Sequence, residues 1–126
     1  MITPLYAGLL TVLLVVLFAR VVRLRWKYKV GLGDGGEKEL QRAIRVHGNF
    51  VETVPWAILL MLMMDLTHVR PLWLHVYGCL LIVARLSHAW GVTHHSTVSW
   101  GRTVGVSLTL SLMGCAAVYC VWQYFG

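Results

Sequence analysis

The chain has 126 residues, 58% of them hydrophobic and only 13% charged, against about 25% charged in an ordinary soluble domain. That length excludes a multidomain enzyme, and a mean hydropathy of +0.69 points to lipid as the solvent. The net charge of +6 would admit a nucleic-acid partner if the cations were spread over a solvated face. However, eight of the eleven Lys and Arg residues lie between Arg20 and Arg45, around one connector, so the charge is a topology signal and no nucleic acid is expected.

The first apolar segment runs from about Leu5 to Val22 and meets no charge before Arg20. A secretory leader has its basic residues before the apolar stretch and a small-residue cleavage site after it. Here the basic cluster follows and no such site closes the segment, so a retained first helix is expected. The next stretch, RLRWKYKVGLGDGGEKEL, is the one clearly polar part of the chain. Its glycines break helix, and it lacks the strand and lysine of a phosphate-binding loop, so it reads as a connector.

The second segment runs from about Glu37 to Leu66. It crosses Arg45, His47, Asn49 and Glu52, then becomes wholly apolar in WAILLMLMM. Pro55 removes the backbone donor that would meet the Val51 carbonyl, as in many membrane helices. A short turn containing Asp65, Arg70 and Pro71 leads to the third segment, about Leu72 to Trp90, with His75, Arg85 and His88. GVTHHSTVSWG is the next connector, and the uncharged fourth segment covers about Thr103 to Phe125. A span needs roughly 20 apolar residues. Four such segments with short connectors predict an all-α membrane protein, a single domain over residues 1–126 folded as an antiparallel four-transmembrane-helix bundle. The positive-inside rule puts connectors one and three on the cytoplasmic side, with both termini opposite.

The three cysteines, Cys79, Cys115 and Cys120, fall in apolar segments without a CxxC and read as small buried hydrophobes. His94-His95 has no carboxylate or cysteine nearby in its connector and reads as a solvated pair, so no metal site is expected. Trp73, Trp90, Trp100, Trp122 and Tyr124 stand near segment ends, as interfacial belt residues do.

The chemistry concentrates in the second segment. At about 100° per residue, Arg42, Arg45, Asn49 and Glu52 share a stripe roughly 80° wide. Ionisable groups at such depth are costly against lipid and face a bundle interior or a cavity. Interfacial arginines with one Arg–Glu pair holding helices in register would explain the charges, but not why Asn49 joins the stripe. Arg85-x-x-His88 and Arg102-Thr103 belong to the same end of an antiparallel bundle. Several arginines, an amide and one carboxylate suit a small polyanion that also carries an ammonium group.

Arg45-x-His47-x-Asn49-x-x-Glu52, with VRLR at Val22–Arg25 before it and AR-x-x-H at Ala84–His88 after it, resembles the MAPEG family, the membrane-associated proteins in eicosanoid and glutathione metabolism. The resemblance runs from about residue 4 to 125. It implies a homotrimer embedded in membrane lipid, with glutathione as co-substrate held between subunits near the cytoplasmic face. Carried onto this chain, it implies that Arg23 and Arg45 hold glutathione carboxylates, Asn49 its backbone and Glu52 its amine. His47 and His88 stand where members place polar groups lining the site. Arg102 matches the arginine that stabilises the thiolate, and Thr103 the hydroxyl residue after it. Val92 and Val106 replace tyrosines of several eicosanoid-forming members. The implied activity is therefore that of a glutathione transferase or peroxidase acting on lipophilic electrophiles. The alternative is a non-catalytic glutathione- or lipid-binding member of the same fold. A small multidrug transporter is a poorer match, because its first helix carries a membrane-embedded glutamate and the first segment here contains no acid.

Overall fold

The computed structural model describes residues 1–95 and 97–126. Ser96, in the third connector, lies outside the described residues. Four α-helices account for nearly everything else: α1 (Thr3–Tyr28), α2 (Lys38–Leu66), α3 (Pro71–His94) and α4 (Trp100–Phe125). All four are long and apolar enough to cross a membrane. The shortest, α3, has 24 residues, about 36 Å at 1.5 Å per residue, against a hydrocarbon core about 30 Å thick.

The helices overrun the expected segments where local chemistry permits. α1 continues through the basic cluster to Tyr28 because Arg, Lys and Trp are sound helix residues. It stops where Lys29 turns left-handed (φ 56°) and the Val30 amide returns to the Arg25 carbonyl. Arg25 reinforces that end by donating to the Gly33 carbonyl at 2.8 Å. Gly33, Gly35 and Gly36 all have positive φ, so this connector needs its glycines. α3 starts at Pro71, a residue that suits a first helical turn. α4 starts at Trp100, three residues before the expected Thr103, because the Ser99 side chain caps it by accepting from the Arg102 amide.

Packing follows from which stripe of each helix is buried. α2 buries Val46, Phe50, Val54, Ala57, Met61 and Met64, a 3–4 repeat that places it in the middle of the bundle. It packs on the other three helices and α3 does likewise, whereas α1 and α4 make no contact with each other. The outer faces are apolar, with Leu9, Val12, Val15, Phe18, Leu110 and Val118 all exposed, as lipid-facing helices require. At the end bearing both termini, Asp65 receives the Ile2 and Thr3 amides and the Thr3 hydroxyl at 2.7–2.9 Å. This single carboxylate satisfies the first donors of α1 from the far end of α2.

The cysteines correct the sequence reading. Cys79 and Cys115 are exposed and Cys120 is half-buried. In a bundle whose exterior is as apolar as its core, apolar surroundings in sequence do not distinguish inside from outside.

α3 and α4 approach each other closely. A Cβ on Gly91 would stand 2.3 Å from the Arg102 amide nitrogen, and one on Gly105 only 2.6 Å from the Ala84 carbonyl oxygen. Gly101-x-x-x-Gly105 is therefore a small-residue packing face. It carries the backbone of Arg102 against the last turns of α3.

Candidate functional site

At the connector-one end of the bundle, α2, α3 and α4 diverge around a cleft of about 400 Å³. α2 contributes Gln41, Arg42, Arg45 and Asn49. α3 and its cap contribute His88, Val92 and His95, and α4 contributes Arg102 and Val106. Among the described residues, three guanidinium groups line this space and no carboxylate does. Such a cleft is electropositive, shaped by low-dielectric walls, and selects an anion.

The helices set the depth of each group. Arg42, Arg45 and Asn49 lie on the flank of α2 that looks between α3 and α4, roughly 110° from the centre of its buried stripe. Arg42 has a second task. Its Nη1 donates to the carbonyl of Thr93 at 3.3 Å, while Arg20 of α1 donates to the Thr93 hydroxyl at 2.7 Å. Two cations thus hold the C-terminal turn of α3, where unpaired carbonyls carry partial negative charge. His88 is 3% exposed, and among the described residues its Nδ1 has no hydrogen-bond partner. A buried imidazole nitrogen left unpaired beside a polar cleft is unusual in a packed protein.

Beneath the cleft lies Arg85 of α3, only 2% exposed. Its Nη2 donates to Asn49 Oδ1 at 2.7 Å, and Nη1 donates to the Thr53 and Thr109 hydroxyls at 3.2 and 3.4 Å. All three partners are neutral. The five acids of the chain lie elsewhere. Glu39 pairs with Lys27 at 3.1 Å, Asp65 caps α1, and Asp34 caps its own turn through the Gly36 amide.

Of the residues singled out from sequence, the structure brings Arg45, Asn49, His88 and Arg102 together in one cleft. It does not bring Arg23, His47, Glu52 or Thr103 there. Arg23 is exposed on α1, a helix without contact to α4. His47 lies on the opposite side of α2 from Asn49, its ring 5.7 Å from that of Phe18 on α1. Glu52 is exposed, on the outward side of the flank that carries Arg45. Thr103 borders a separate small crevice with Val98, Ser99 and Trp100.

Arg42 belongs to the polar stripe read from sequence, without an assigned contact there, and Gln41, His95 and Arg85 have no assigned site role from sequence. Gln41, Arg42 and His95 line the cleft, and Arg85 supports it. His94 and His95 are both exposed, as expected of a solvated pair, and α3 runs on to His94, making His95 its cap at the cleft mouth. His94 instead turns to the Trp90 carbonyl, at 2.9 Å. The i, i+3 spacing of Arg85 and His88 was the signal for Arg85; nothing local in sequence marks His95.

The chain resembles proteins of known sequence over nearly its whole length. It is 44% identical over 127 aligned positions to the inner membrane protein YecN of Escherichia coli K12, covering 98% of this chain and 95% of that protein. The same identity and coverage hold for YecN of the E. coli O6:H1 strain CFT073. With four membrane-length helices and these inner-membrane relatives, the chain is an integral, multi-pass membrane protein. The model of the MAPEG family matches residues 3–122, which includes every residue lining the cleft, and this protein belongs to that family.

Proposed function

We propose that the cleft binds glutathione and that the protein is a membrane-bound glutathione transferase, or peroxidase, for lipophilic electrophiles. The observation that carries this reading is the convergence of Arg42, Arg45 and Arg102 with Asn49 and His88 on a cleft of about 400 Å³ that has no carboxylate among its described lining residues. Glutathione offers two carboxylates and a thiol that must ionise to react. Arginines bind carboxylates through paired, charge-assisted hydrogen bonds. A guanidinium beside the sulfur favours the thiolate, whose thiol otherwise titrates near 8.5. In the transfer step the thiolate forms a bond to the electrophilic carbon, and the leaving group departs with its electron pair. The thiol proton has already passed to solvent at the cleft mouth. Arg102, permanently charged, is the group for the sulfur. Val92 and Val106 give the cleft an apolar wall suited to an acceptor arriving from lipid.

A single protomer leaves part of the expected ligand set outside. Arg23 and Glu52 are exposed, and charges facing lipid at depth are unfavourable by at least a few kcal/mol. Both facts support an assembly, a homotrimer in our reading, in which a neighbouring copy covers Glu52. Glutathione would then lie between subunits with its ammonium at that carboxylate. The clustering of cations around connector one supports a cytoplasmic site with both termini on the other side.

Replacement of tyrosines by Val92 and Val106 favours a second reading, binding without turnover. One experiment separates the two. Glutathione is added to detergent-purified protein while thiolate absorbance is followed, and a chloronitrobenzene acceptor is then supplied. Thiolate formation followed by conjugation is the expected result. Thiolate without conjugation would leave the binding reading, and no thiolate and no binding would remove glutathione altogether.

A further inference from the structure

We infer that Arg85 is a positioning residue of the cleft: it locks the side-chain amide of Asn49 so that only the amide's donors are offered to the ligand. The inference rests on the glutathione reading and names what orients one of its contacts.

The donor and acceptor inventory leaves one solution. A guanidinium has donors and no acceptor, so the Asn49 atom 2.7 Å from Arg85 Nη2 is the carbonyl oxygen. That fixes an amide orientation which heavy-atom positions alone leave ambiguous. The neighbouring hydroxyls are fixed in turn. Thr53 donates its one proton to the backbone carbonyl of Asn49 at 2.8 Å, and Thr109 donates its own to the backbone carbonyl of Gly105 at 2.7 Å. Both hydroxyl oxygens can therefore only accept from Arg85 Nη1, as they do. α2, α3 and α4 are thus tied through one side chain, and the Asn49 NH2 group is left for the cleft that Asn49 lines.

The energetics argue against a merely structural clamp. Arg85 is buried as a permanent cation with three neutral partners, and among the described residues its Nε has none. A buried charge without an opposite charge is an expensive way to join three helices, and packed apolar residues commonly do it as well. What an apolar substitute cannot do is set the amide's direction. With its oxygen held by Arg85 and its NH2 group unbonded among the described residues, Asn49 recognises a carbonyl or carboxylate oxygen of the bound peptide and rejects a donor at that position.

The test is calorimetric titration of glutathione into the purified wild type and variants, with thermal unfolding of each measured in parallel. Arg85→Met frees the amide to rotate and should weaken binding at least ten-fold, with Arg85→Lys, which keeps one donor, recovering part of the loss. The double variant Arg85→Met/Asn49→Ala should bind no more weakly than Asn49→Ala alone, since Arg85 acts through Asn49. Asn49→Asp keeps an acceptor for Arg85 but has no donors; it should unfold no earlier than wild type and still lose binding at least ten-fold. Wild-type affinity in folded Arg85→Met, or losses that multiply in the double variant, would overturn the inference while leaving the glutathione reading standing. If Arg85→Met does not fold, wild-type affinity in Asn49→Asp overturns it instead. A wild type that binds no glutathione removes both.

Discussion

Arg102 shows how much a single residue's role depends on its backbone as well as its charge. Its amide is held by the Ser99 cap at 3.4 Å, and the same nitrogen lies where a Cβ on Gly91 would collide. The guanidinium therefore springs from a fixed point at the cleft wall. If it stabilises the bound thiolate, Arg102→Leu raises the thiol's pKa. Each unit of that rise corresponds to about 1.4 kcal/mol of lost thiolate stabilisation. Below the raised pKa the thiolate fraction falls about ten-fold per unit, so turnover at neutral pH drops more than glutathione binding does. Activity returns as the pH is raised toward the new value. The measurement is the pH–rate profile of the variant beside its glutathione affinity. An unmoved profile in a folded, glutathione-binding variant takes Arg102 out of the chemistry.

Between elements, the α3/α4 contact decides whether the cleft exists at all. Gly105 meets both the Ala84 carbonyl and the His88 Cβ at 2.6 Å from its would-be Cβ, whereas Gly114, further along the same helix, has nothing within 4 Å. Gly105→Ala must push α4 away from α3 and should cost about 1–3 kcal/mol, the range of overpacking in a close contact. Gly114→Ala should be neutral or slightly stabilising, because alanine is the better helix former. Thermal unfolding in detergent compares the two. Equal effects would show that the helices do not approach as closely here as the structure has them. Helix existence was legible from run length and apolarity. The ends were less so: Arg23 to Tyr28 and Trp100 to Arg102 look like connector in a hydropathy reading but are helical, since polarity does not oppose helix and local caps set the ends.

At the scale of the whole molecule, the connectors alternate sides of the membrane. With the native cysteines replaced, Leu32→Cys in connector one, at a position 93% exposed, should react with an impermeant thiol reagent only from the cytoplasmic side. Thr67→Cys, in connector two, should react only from the other side. Reaction of both from one side contradicts the single crossing by α2 between them. The protomer also divides the expected ligand set: Arg45, Asn49, His88 and Arg102 are in the cleft, and Arg23, His47, Glu52 and Thr103 face elsewhere. That division is what makes a neighbouring copy part of the proposed function.

The amino-acid order alone determined the lipid-embedded class, the four helices, their antiparallel order and the stripe of polar residues on α2. These depend on segment composition and on a period of about 3.6 residues, both local properties. Even the gathering of Arg45, Asn49, His88 and Arg102 at one end follows from counting crossings. Which of two apolar faces is inside was decided only by tertiary packing, which is why Cys79 and Cys115 proved to be outward. Packing also decided what each polar group meets across helices: Arg42 on the end of α3, His95 at the cleft mouth, Asp65 on the first turn of α1, Arg85 on Asn49. A hydrogen bond depends on a few tenths of an ångström and on the rotation of each helix about its axis, and neither is written in the residues of one helix taken alone.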